Sequence, residues 1–225
     1  MKRFLYITAH LFDIFYSFFV SIRLFGLAKA FKFPVLFKFG CLKEYHHGNI
    51  VINSTTKKRK HFSIKIGIDG VEGISCKKKT FIKLGKNAKL IFKDKANLSK
   101  GLSIRLSAGQ IEFGNNFYSN NNLSIVGSKS IVFGDNCIVG WNTHIRDLDG
   151  HKVISCGTII NEPQQIIIGN HVWICQNVSI LKGTRISDNS IIAANACVTN
   201  SFEESNVVIG GCPAKVIKKN IDWMI

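Results

Sequence analysis

The chain has 225 residues, 46% of them hydrophobic, which is enough for one domain with a sizeable core and a small appendage. Its formal net charge of +16 is concentrated in residues 1–105, which contain 22 Lys and Arg but only 5 Asp and Glu. Residues 106–225 contain 8 Lys and Arg and 9 Asp and Glu. This imbalance favours an anionic surface or substrate near the N-terminal half. Seven cysteines without C-x-x-C spacing argue against a disulfide framework and predict reduced thiols in a cytoplasmic protein.

Residues 1–47 form a hydrophobic, basic segment that we predict to be helical. Its longest uncharged run, residues 14–22, is shorter than the roughly 20 residues that a membrane-spanning helix needs. No small-residue cleavage site closes the apolar stretch, which argues against a secretory signal. Two interpretations stay open: a helix lying peripherally on the inner face of the cytoplasmic membrane, or a helix that caps the open end of the domain that follows. One helix could do both.

Residues 48–217 are predicted to form the main domain, and its first part, up to residue 114, is β-rich but irregular. Alternating apolar residues and a short six-residue period both occur there: Ile64, Ile66 and Ile68; Leu84, Leu90 and Ala96. The period then becomes regular in two registers, first at Phe113, Ser119, Ile125 and Ile131, and next at Phe133, Val139 and Ile145. The basic runs at residues 57–60 and 77–79 are predicted to be solvated turns, with phosphate or lipid-headgroup binding as the alternative.

The strongest pattern lies in residues 168–199. Large aliphatic residues recur there every six positions: Ile168, Ile174, Ile180, Ile186, Ile192 and Val198. Small or β-branched residues follow each by four positions: Val172, Val178, Thr184, Ser190 and Ala196. A six-residue period fits neither a helix nor an alternating strand. It predicts an all-β solenoid, a parallel β-helix in which three hexads close one triangular coil and neighbouring coils stack about 4.8 Å apart.

The regular period is lost in residues 146–167, which predicts a loop that projects from the solenoid. This loop contains Asp147, Asp149 and His151, and His144 lies just ahead of it. An imidazole with nearby carboxylates is the minimal set for a general base whose tautomer is fixed by a partner. A solvated histidine in a polar loop is the alternative.

Four segments of the chain resemble the hexapeptide-repeat acyltransferases, in particular the sugar and polysaccharide O-acetyltransferases related to galactoside and maltose acetyltransferases. They are GDNCIVGWNTHIRDLDGHKV (134–153), IGNHVWIC (168–175), ILKGTRISDNSIIAA (180–194) and GGCPAKVI (210–217). The likeness spans residues 113–217, and FPVLFKFG (33–40) resembles the capsule and O-antigen branch more loosely. The resemblance implies a left-handed parallel β-helix, acetyl-CoA as the acyl donor, no metal, and homotrimers with active sites between subunits.

The same resemblance implies roles for individual residues. His151 matches the catalytic histidine that takes a proton from a sugar hydroxyl during direct transfer, and Asp147 and Asp149 are the predicted catalytic carboxylates beside it. The predicted acceptor-binding residues are Asn120, Trp141 and His144. The predicted cofactor-binding residues are Trp173, Gln176, Ala194, Thr199, Lys215 and Lys218, of which the two lysines would meet CoA phosphates.

Two departures from the family pattern concern the cofactor groove. Asn195 replaces the Gly of A-A-G, and asparagine tolerates a positive φ better than most residues. Cys175 replaces the Gly that usually follows V-W-I, and its side chain would crowd the CoA channel. Neither change removes the base, so we expect an active enzyme with an altered groove.

We therefore expect an acetyl-CoA-dependent O-acetyltransferase of a bacterial surface polysaccharide, such as a capsule, an O-antigen or a lipid-linked precursor. The alternatives are N-acetylation of a nucleotide-linked amino sugar and a non-catalytic basic solenoid that binds membrane surfaces. A nucleophilic Cys175 lacks an adjacent base, and a zinc site would need converging imidazoles, whereas His144, His151 and His171 are spaced for corners and loops. Nucleic-acid binding is not favoured, because the lysine-rich turns lack interleaved aromatic residues. Residues 218–225 are predicted to be a C-terminal tail.

Overall fold

The computed structural model describes residues 10–53, 61–70 and 76–224. Residues 57–60, one of the predicted basic turns, and residues 1–9 of the predicted N-terminal segment lie outside this range. The described chain begins with helices α1 (Leu11–Phe25) and α2 (Leu27–Ala30) and continues almost entirely as short strands.

The strands of the described residues follow in chain order. They are β1 (Val35–Phe37), β2 (Leu42–Glu44), β3 (Ile50–Ile52), β4 (Ile64–Ile66), β5 (Phe81–Phe92), β6 (Ala96–Leu98), β7 (Ser103–Phe113), β8 (Phe117–Ser119), β9 (Ser124–Gly127), β10 (Ser130–Phe133), β11 (Ile138–Val139), β12 (His144–Arg146), β13 (Ile154–Ser155), β14 (Thr158–Ile159), β15 (Ile166–Ile168), β16 (Trp173–Ile174), β17 (Ser179–Ile180), β18 (Arg185–Ile186), β19 (Ile191–Ile192), β20 (Cys197–Val198), β21 (Val207–Gly211) and β22 (Ala214–Lys219).

These strands build a triangular coil with three faces, and within each face the strands pair mostly in parallel. One face is the nine-stranded sheet β1-β4-β6-β8-β11-β16-β19-β21-β22. The other two faces belong to one eleven-stranded sheet, because the long strand β7 turns the corner between them: residues 103–106 pair with β9 and residues 110–113 with β10. The only antiparallel pairs among the described strands are the closing β21–β22 hairpin and the separate β13–β14 hairpin. The predicted left-handed parallel β-helix is confirmed.

The interior of the coil is filled by the residues that the six-residue period predicts. The large aliphatics from Ile168 to Val198 are at most 1% exposed, and so are the small residues that follow each of them. In the earlier coils, the rings of Phe92, Phe113 and Phe133 stack through the core with centroid separations of 5.1 and 5.5 Å. One continuous column of apolar side chains therefore runs through the solenoid and supplies its main stabilisation.

Asparagines mark one corner of the successive coils. Asn122, Asn142, Asn177 and Asn195 all adopt the left-handed region, with φ between 55° and 66°. Their side-chain amides bond in a ladder, each Nδ2 donating to the next Oδ1 over 3.0–3.2 Å. The predicted tolerance of Asn195 for positive φ is thus met. The residue separations along this ladder are 20, 35 and 18, so the projecting loop belongs to the 35-residue coil.

The β-helix begins earlier than the predicted boundary at residue 48. Strand β1, at Val35–Phe37, pairs in parallel with β4, and β2, at Leu42–Glu44, pairs with β5. Val35, Leu36 and Phe37 of β1 are buried by this pairing, which the sequence alone does not reveal. At the other end, β22 continues to Lys219, so part of the predicted tail also belongs to the fold.

Helix α1 packs on the first strand with its polar side. Asp13, Ser17 and Ser21 are buried there, together with Val20 and Leu24. The opposite side of the helix is aromatic and exposed: Phe12 is 78%, Phe15 58% and Phe19 67% exposed. The helix therefore caps the open end of the coil, but the usual arrangement of an amphipathic surface helix is inverted.

Among the described residues, no helix is both long and apolar enough to cross a bilayer. All seven cysteines lie in described segments, and each is a free thiol. Burial raises the pKa of Cys41 and that of Cys137 to about 12, so both behave as small apolar core residues.

Candidate active site

Asp147 lies at the base of the projecting loop and is fully buried. Its carboxylate accepts hydrogen bonds from the backbone N–H groups of Ser128, Lys129 and Ser130 over 2.8–2.9 Å. Its carbonyl oxygen accepts the N–H of Gln164 over 2.9 Å, which joins the two ends of the loop. The predicted catalytic role of Asp147 is therefore corrected: a buried carboxylate bound to three amides shapes a turn and is not free to orient an imidazole.

Asp149 stands nearer the tip of the loop and is engaged with two other groups. One carboxylate oxygen accepts a hydrogen bond from the Lys182 ammonium over 2.5 Å and another from the Asn161 amide over 2.9 Å. The hydrogen bond from Lys182, followed by that from Asn161, holds the pKa of Asp149 below its usual value. Asp149 thus stays ionised and ties the loop to the coil, and its bonds do not go to the ring of His151.

His151 is exposed on the loop. Its carbonyl oxygen accepts a hydrogen bond from the Asn161 side chain over 2.7 Å, whereas its imidazole makes no hydrogen bond with any described residue. The expected carboxylate partner for the ring is therefore absent within the described part of a single chain. The backbone of His151 is fixed, and its ring is free to meet a substrate or a neighbouring subunit.

Three predicted site residues occupy the same position in successive coils. The N–H of Asn177 bonds to the carbonyl of Trp141 over 2.8 Å, and the N–H of Asn195 bonds to that of Gln176 over 3.1 Å, which aligns Trp141, Gln176 and Ala194 along one corner. We call this line of three residues the coil ridge. Gln176 and Ala194 are exposed, and Trp141 is half-buried.

The other two predicted acceptor-binding residues lie close to the coil ridge. Asn120 is half-buried one coil earlier, and its N–H bonds to the carbonyl of Val139 over 2.8 Å. His144 is exposed on the face next to the ridge, in register with Ser124 and Ser179. Partial burial, then the charges of Lys78 and Arg146, lower the pKa of His144, so its imidazole is neutral at pH 7.

Strands β12 and β17 form one face of the solenoid, with the coil ridge at one edge and Lys182, which anchors the projecting loop, at the other. Along one coil the ridge residue Gln176 comes first, strand β17 crosses the face, and Lys182 follows at the far corner. In the preceding coil the order is Trp141, His144 and then the projecting loop. The face thus carries a neutral imidazole in its middle, with the coil ridge on one edge and the His151 loop anchored on the other.

Of the remaining predicted cofactor-binding residues, Thr199 follows β20, which pairs with β17 and so continues this face, whereas Trp173, Lys215 and Lys218 lie outside it. Trp173 is 39% exposed on the nine-stranded sheet, three residues ahead of Gln176. Its ring is 6.0 Å from that of Trp223, which stacks on His171 at 4.1 Å. Exposed residues that sequence reasoning assigned to the nucleotide end of CoA are Thr199, which follows β20, and two residues of β22, Lys215 and Lys218.

Cys175 is half-buried beside the coil ridge, and burial raises the pKa of its thiol. A thiol that stays protonated at neutral pH is a poor nucleophile. Among the described residues, no group of three or more His, Cys, Asp and Glu side chains could hold a metal ion. His144, His151 and His171 accordingly do not converge with other metal ligands in that part of the chain.

Asn161 and Lys182 were not identified as functional by the sequence patterns. Lys182 lies within the quoted segment ILKGTR, where a lysine at a coil corner looks like an ordinary solvated residue. Asn161 lies in an aperiodic stretch without any motif. Only the folded loop shows that both bind Asp149.

Comparison with known proteins places the fold and the pattern in one group, although no family model matches the chain. Galactoside O-acetyltransferase of Escherichia coli K12 is 39% identical over 113 residues, which cover 48% of this chain and 54% of that protein. The chain therefore spans about half the length of this relative. The protein WbbJ of the same strain, whose name proposes for it an O-acetyl transferase activity in lipopolysaccharide biosynthesis, is 31% identical over 137 residues, 55% of this chain and 69% of that protein.

A solved structure supports the fold independently. The hexapeptide-repeat-containing acetyltransferase of Vibrio cholerae O1 biovar eltor, determined in complex with acetyl coenzyme A, superimposes with a TM-score of 0.51 at 21% identity. The match covers 59% of this chain and 72% of that one. Taken with the 31% identity over more than two thirds of WbbJ, the solenoid and its D-G-H loop lead to one assignment: the chain belongs to the hexapeptide-repeat acyltransferases, in the group of sugar and polysaccharide O-acetyltransferases.

Proposed function

We propose that this chain is an acetyl-CoA-dependent O-acetyltransferase acting on a sugar of a bacterial surface polysaccharide or its lipid-linked precursor. The observation that carries the proposal is the placement of His151: an exposed imidazole on a loop whose backbone is fixed by side-chain hydrogen bonds. The names of the two relatives, a galactoside O-acetyltransferase and an O-acetyl transferase of lipopolysaccharide biosynthesis, support the acyl group and the class of acceptor.

The proposed chemistry is direct transfer without a metal. The His151 imidazole takes the proton of a sugar hydroxyl as its oxygen attacks the thioester carbonyl of acetyl-CoA. The C–S bond then breaks, CoA leaves as a thiolate that is reprotonated, and the acetyl ester of the sugar is released. A positioned base contributes about 10²–10⁴-fold to such a rate, because a neutral hydroxyl is a weak nucleophile.

The proposed binding residues divide between the two substrates. Asn120, Trp141 and His144 would contact the acceptor, since they lie on or beside the face that the loop borders. The CoA-binding residues would be Trp173, Gln176, Ala194, Thr199, Lys215 and Lys218. The two lysines are exposed cations on β22, suited to phosphate oxygens.

We propose that the active protein is a homotrimer in which a neighbouring subunit completes each site. The ring of His151 has no hydrogen-bond partner among the described residues of its own chain, which is consistent with a cleft closed by another copy. Light scattering on the purified protein tests this directly. A mass of three chains supports the shared site, and a fully active monomer contradicts it.

Thiol release from acetyl-CoA, with and without candidate glycans, tests the reaction. We expect His151→Ala to lower turnover by about 10²–10⁴-fold while the trimer and its melting temperature stay unchanged. His47→Ala, which removes an exposed histidine far along the chain, serves as the matched control. Equal turnover in His151→Ala and the parent protein would refute the proposed mechanism.

The product also separates O- from N-acetylation. An acetyl ester is cleaved by mild alkali, whereas the amide of an acetylated amino sugar resists it. Mass spectrometry of the product before and after this treatment therefore distinguishes the proposal from the nucleotide-amino-sugar alternative. A resistant product would move the activity to the N-acetyltransferases.

We infer in addition that helix α1 lies on an anionic membrane surface. The helix buries its polar side against β1 and turns Phe12, Phe15 and Phe19 outward, an arrangement that is unfavourable in water and favourable in the interface of a bilayer. Phe31, 61% exposed, extends this surface, since its ring and that of Phe19 both contact the ring of Phe18.

The charge of this segment supports anionic lipid as the proposed occupant. Exposed cations of the same segment are Arg23, Lys29, Lys32 and Lys38. The single carboxylate of the described helices, Asp13, is buried and bound to Lys38. Each basic side chain near an anionic bilayer contributes about 1 kcal/mol to binding, so aromatic insertion and charge would act together.

Sedimentation with lipid vesicles tests this inference. We expect binding to phosphatidylglycerol vesicles, weaker binding to phosphatidylcholine vesicles, and loss of binding in the triple variant Phe12→Ser, Phe15→Ser and Phe19→Ser. Ile217→Ser, which removes a side chain that is 63% exposed on β22, is the matched control. Unchanged vesicle binding in the triple variant would contradict membrane docking. Dissociation of the trimer in that variant would instead make this aromatic surface an interface between copies.

A further inference from the structure

Asn161 bonds to three points of the projecting loop. Its Oδ1 accepts the N–H of Val153 over 2.7 Å, and its Nδ2 donates to the carbonyl of His151 over 2.7 Å and to the carboxylate of Asp149 over 2.9 Å. One amide side chain therefore fixes both arms of the loop on either side of His151. The carboxamide is suited to this task because it offers an acceptor and two donors in one plane.

Lys182 links this loop to the body of the solenoid. It follows β17 at a coil corner, is 18% exposed, and donates to Asp149 from that corner. The next residue, Gly183, has φ 77° and leaves room for the side chain of Gln164, so the returning end of the loop runs over the same corner. The carboxylate of Asp149 is thus held between one cation on the rigid wall and one amide on the loop.

The stretch around His151 has few other constraints. Residues 149–158 are all exposed, and Gly150 and Gly157, with φ 88° and 78°, bracket His151 within the loop. No other side-chain hydrogen bond or ion pair of the described residues reaches residues 149–152 from the solenoid. The position of the His151 backbone relative to the coil therefore depends on the connection from Lys182 through Asp149 and Asn161.

We propose that Lys182 and Asn161 are positioning residues for the base, acting through Asp149. The inference rests on the proposed role of His151 in acyl transfer and extends it to residues that touch neither substrate. A reacting group must be held close to its productive geometry, since a displacement of about 1 Å lowers a rate by up to 10²-fold. In this loop an ion pair and an amide side chain hold the backbone of His151 in place, and packing in a buried core does not.

The test compares kcat, KM and loop mobility in three lysine variants. We expect Lys182→Met to lower kcat by about 10- to 100-fold with KM for acetyl-CoA within about threefold of the parent. Lys182→Arg keeps a cation at the same corner and should restore most of kcat. Lys152→Met removes an exposed lysine of the same loop and is the matched control.

Hydrogen exchange supplies a readout that does not depend on catalysis. Lys182→Met and Asn161→Ala should both accelerate amide exchange in residues 148–161 while the melting temperature of the solenoid stays unchanged, because contacts of a projecting surface loop contribute little to global stability. Unaltered exchange and unaltered kcat in both variants would overturn the proposal. A fall in kcat matched by a fall in melting temperature would also overturn it, because the residues would then be merely structural.

The outcome for His151→Ala separates the two proposals. If that variant keeps full turnover, the proposed function fails and the positioning role fails with it. If His151→Ala is inactive while Lys182→Met and Asn161→Ala turn over normally, only the positioning role fails.

Discussion

The hydroxyl of Ser17 in α1 accepts a hydrogen bond from the N–H of Phe37 in β1 over 2.8 Å, so the helix meets the first strand through a polar contact. Asp13 extends the contact by accepting the N–H of Phe39 over 2.8 Å. Strand β1 ends the nine-stranded sheet, and an uncovered edge leaves backbone groups without partners. The polar side of α1 replaces the coil that is missing there, which is why the aromatic side is left outward.

Removing this contact should destabilise the N-terminal cap. We expect Ser17→Ala to lower the free energy of unfolding by about 1–3 kcal/mol, since the N–H of Phe37 would be buried without a partner. Chemical denaturation followed by circular dichroism measures the change. Ser205→Ala, at an exposed position, should change it by less than about 0.5 kcal/mol. Equal effects of the two substitutions would show that the helix does not depend on its polar side.

Asp13 should make stability depend on pH below neutrality. Burial raises the pKa of its carboxyl, but hydrogen bonds from His10, the N–H of Phe39 and Lys38 outweigh burial and bring the pKa below the ordinary value of 3.8. A carboxyl whose pKa is lower in the folded state stabilises the fold above the unfolded pKa, and this contribution is lost as pH falls through the folded pKa. Melting temperatures of the parent and Asp13→Asn should therefore differ at pH 6 and converge below pH 3.8. A constant difference down to acid pH would contradict this assignment.

Asp147 and His151 lie in the same loop, but substitution of Asp147 should affect stability and substitution of His151 should affect turnover. Asp147→Ala would leave three backbone N–H groups without their acceptor, and we expect a loss of about 2–5 kcal/mol in unfolding free energy. His151→Ala, at an exposed position, should leave stability unchanged and affect turnover alone. Denaturant titrations of both variants check this contrast. Parent-like stability in Asp147→Ala would remove its structural role.

Substitution of Asn195, the last residue of the asparagine ladder, should lower the stability of the protein. Asn195 has φ 63°, a conformation that costs an alanine roughly 1–2 kcal/mol, and its Oδ1 also accepts a hydrogen bond from Asn177. We expect Asn195→Ala to be less stable than the parent by about 1–3 kcal/mol, and Asn195→Gly to lie between them because glycine relieves the backbone cost. Thermal denaturation ranks the three proteins. If Asn195→Ala is as stable as Asn195→Gly, backbone conformation does not determine the residue at this corner.

Thiol labelling should follow burial. Cys41 and Cys137, each with a pKa raised to about 12, should resist iodoacetamide in the native protein, whereas the exposed Cys156 and Cys212 should be labelled first. Peptide mass spectrometry after brief labelling gives the order directly. The same experiment in urea, in which all seven thiols should react, is the control. Early labelling of Cys137 would contradict the packing of the coil interior.

The sequence is sufficient to predict the wall of the solenoid, because every coil repeats the same side-chain requirement. Ile180 and Val178 fill equivalent places to Ile174 and Val172, and this regularity is visible without coordinates. Asp147 is different: a carboxylate in D-L-D-G-H has no periodic neighbour that could reveal whether it faces the imidazole or, as it does, a turn of the preceding coil. Asn161 lies ten residues from His151, and such a contact within a loop leaves no pattern in the chain.

The side of α1 that packs on the protein is likewise not visible in the sequence. An alternation of aromatic and polar residues shows that two sides exist, but it does not show which side packs on the protein. The hydrophobic side of a surface helix usually packs on the core. Here the edge of β1 needs hydrogen-bond partners, so Ser17 and Asp13 face inward and Phe15 faces outward.

Between Asn142 and Asn177 the chain takes 35 residues to reach the same corner of the next coil, whereas 18 suffice between Asn177 and Asn195. The hydrogen bond from Asn142 Nδ2 to Asn177 Oδ1 is nevertheless formed at 3.2 Å, similar to the others of the ladder. A corner can therefore absorb an excursion of 17 residues without disturbing the layers above and below it. A hairpin can therefore be added at one corner while the register of the neighbouring coils is kept, and in this chain the pair of Lys182 and Asp149 ties that hairpin to the wall.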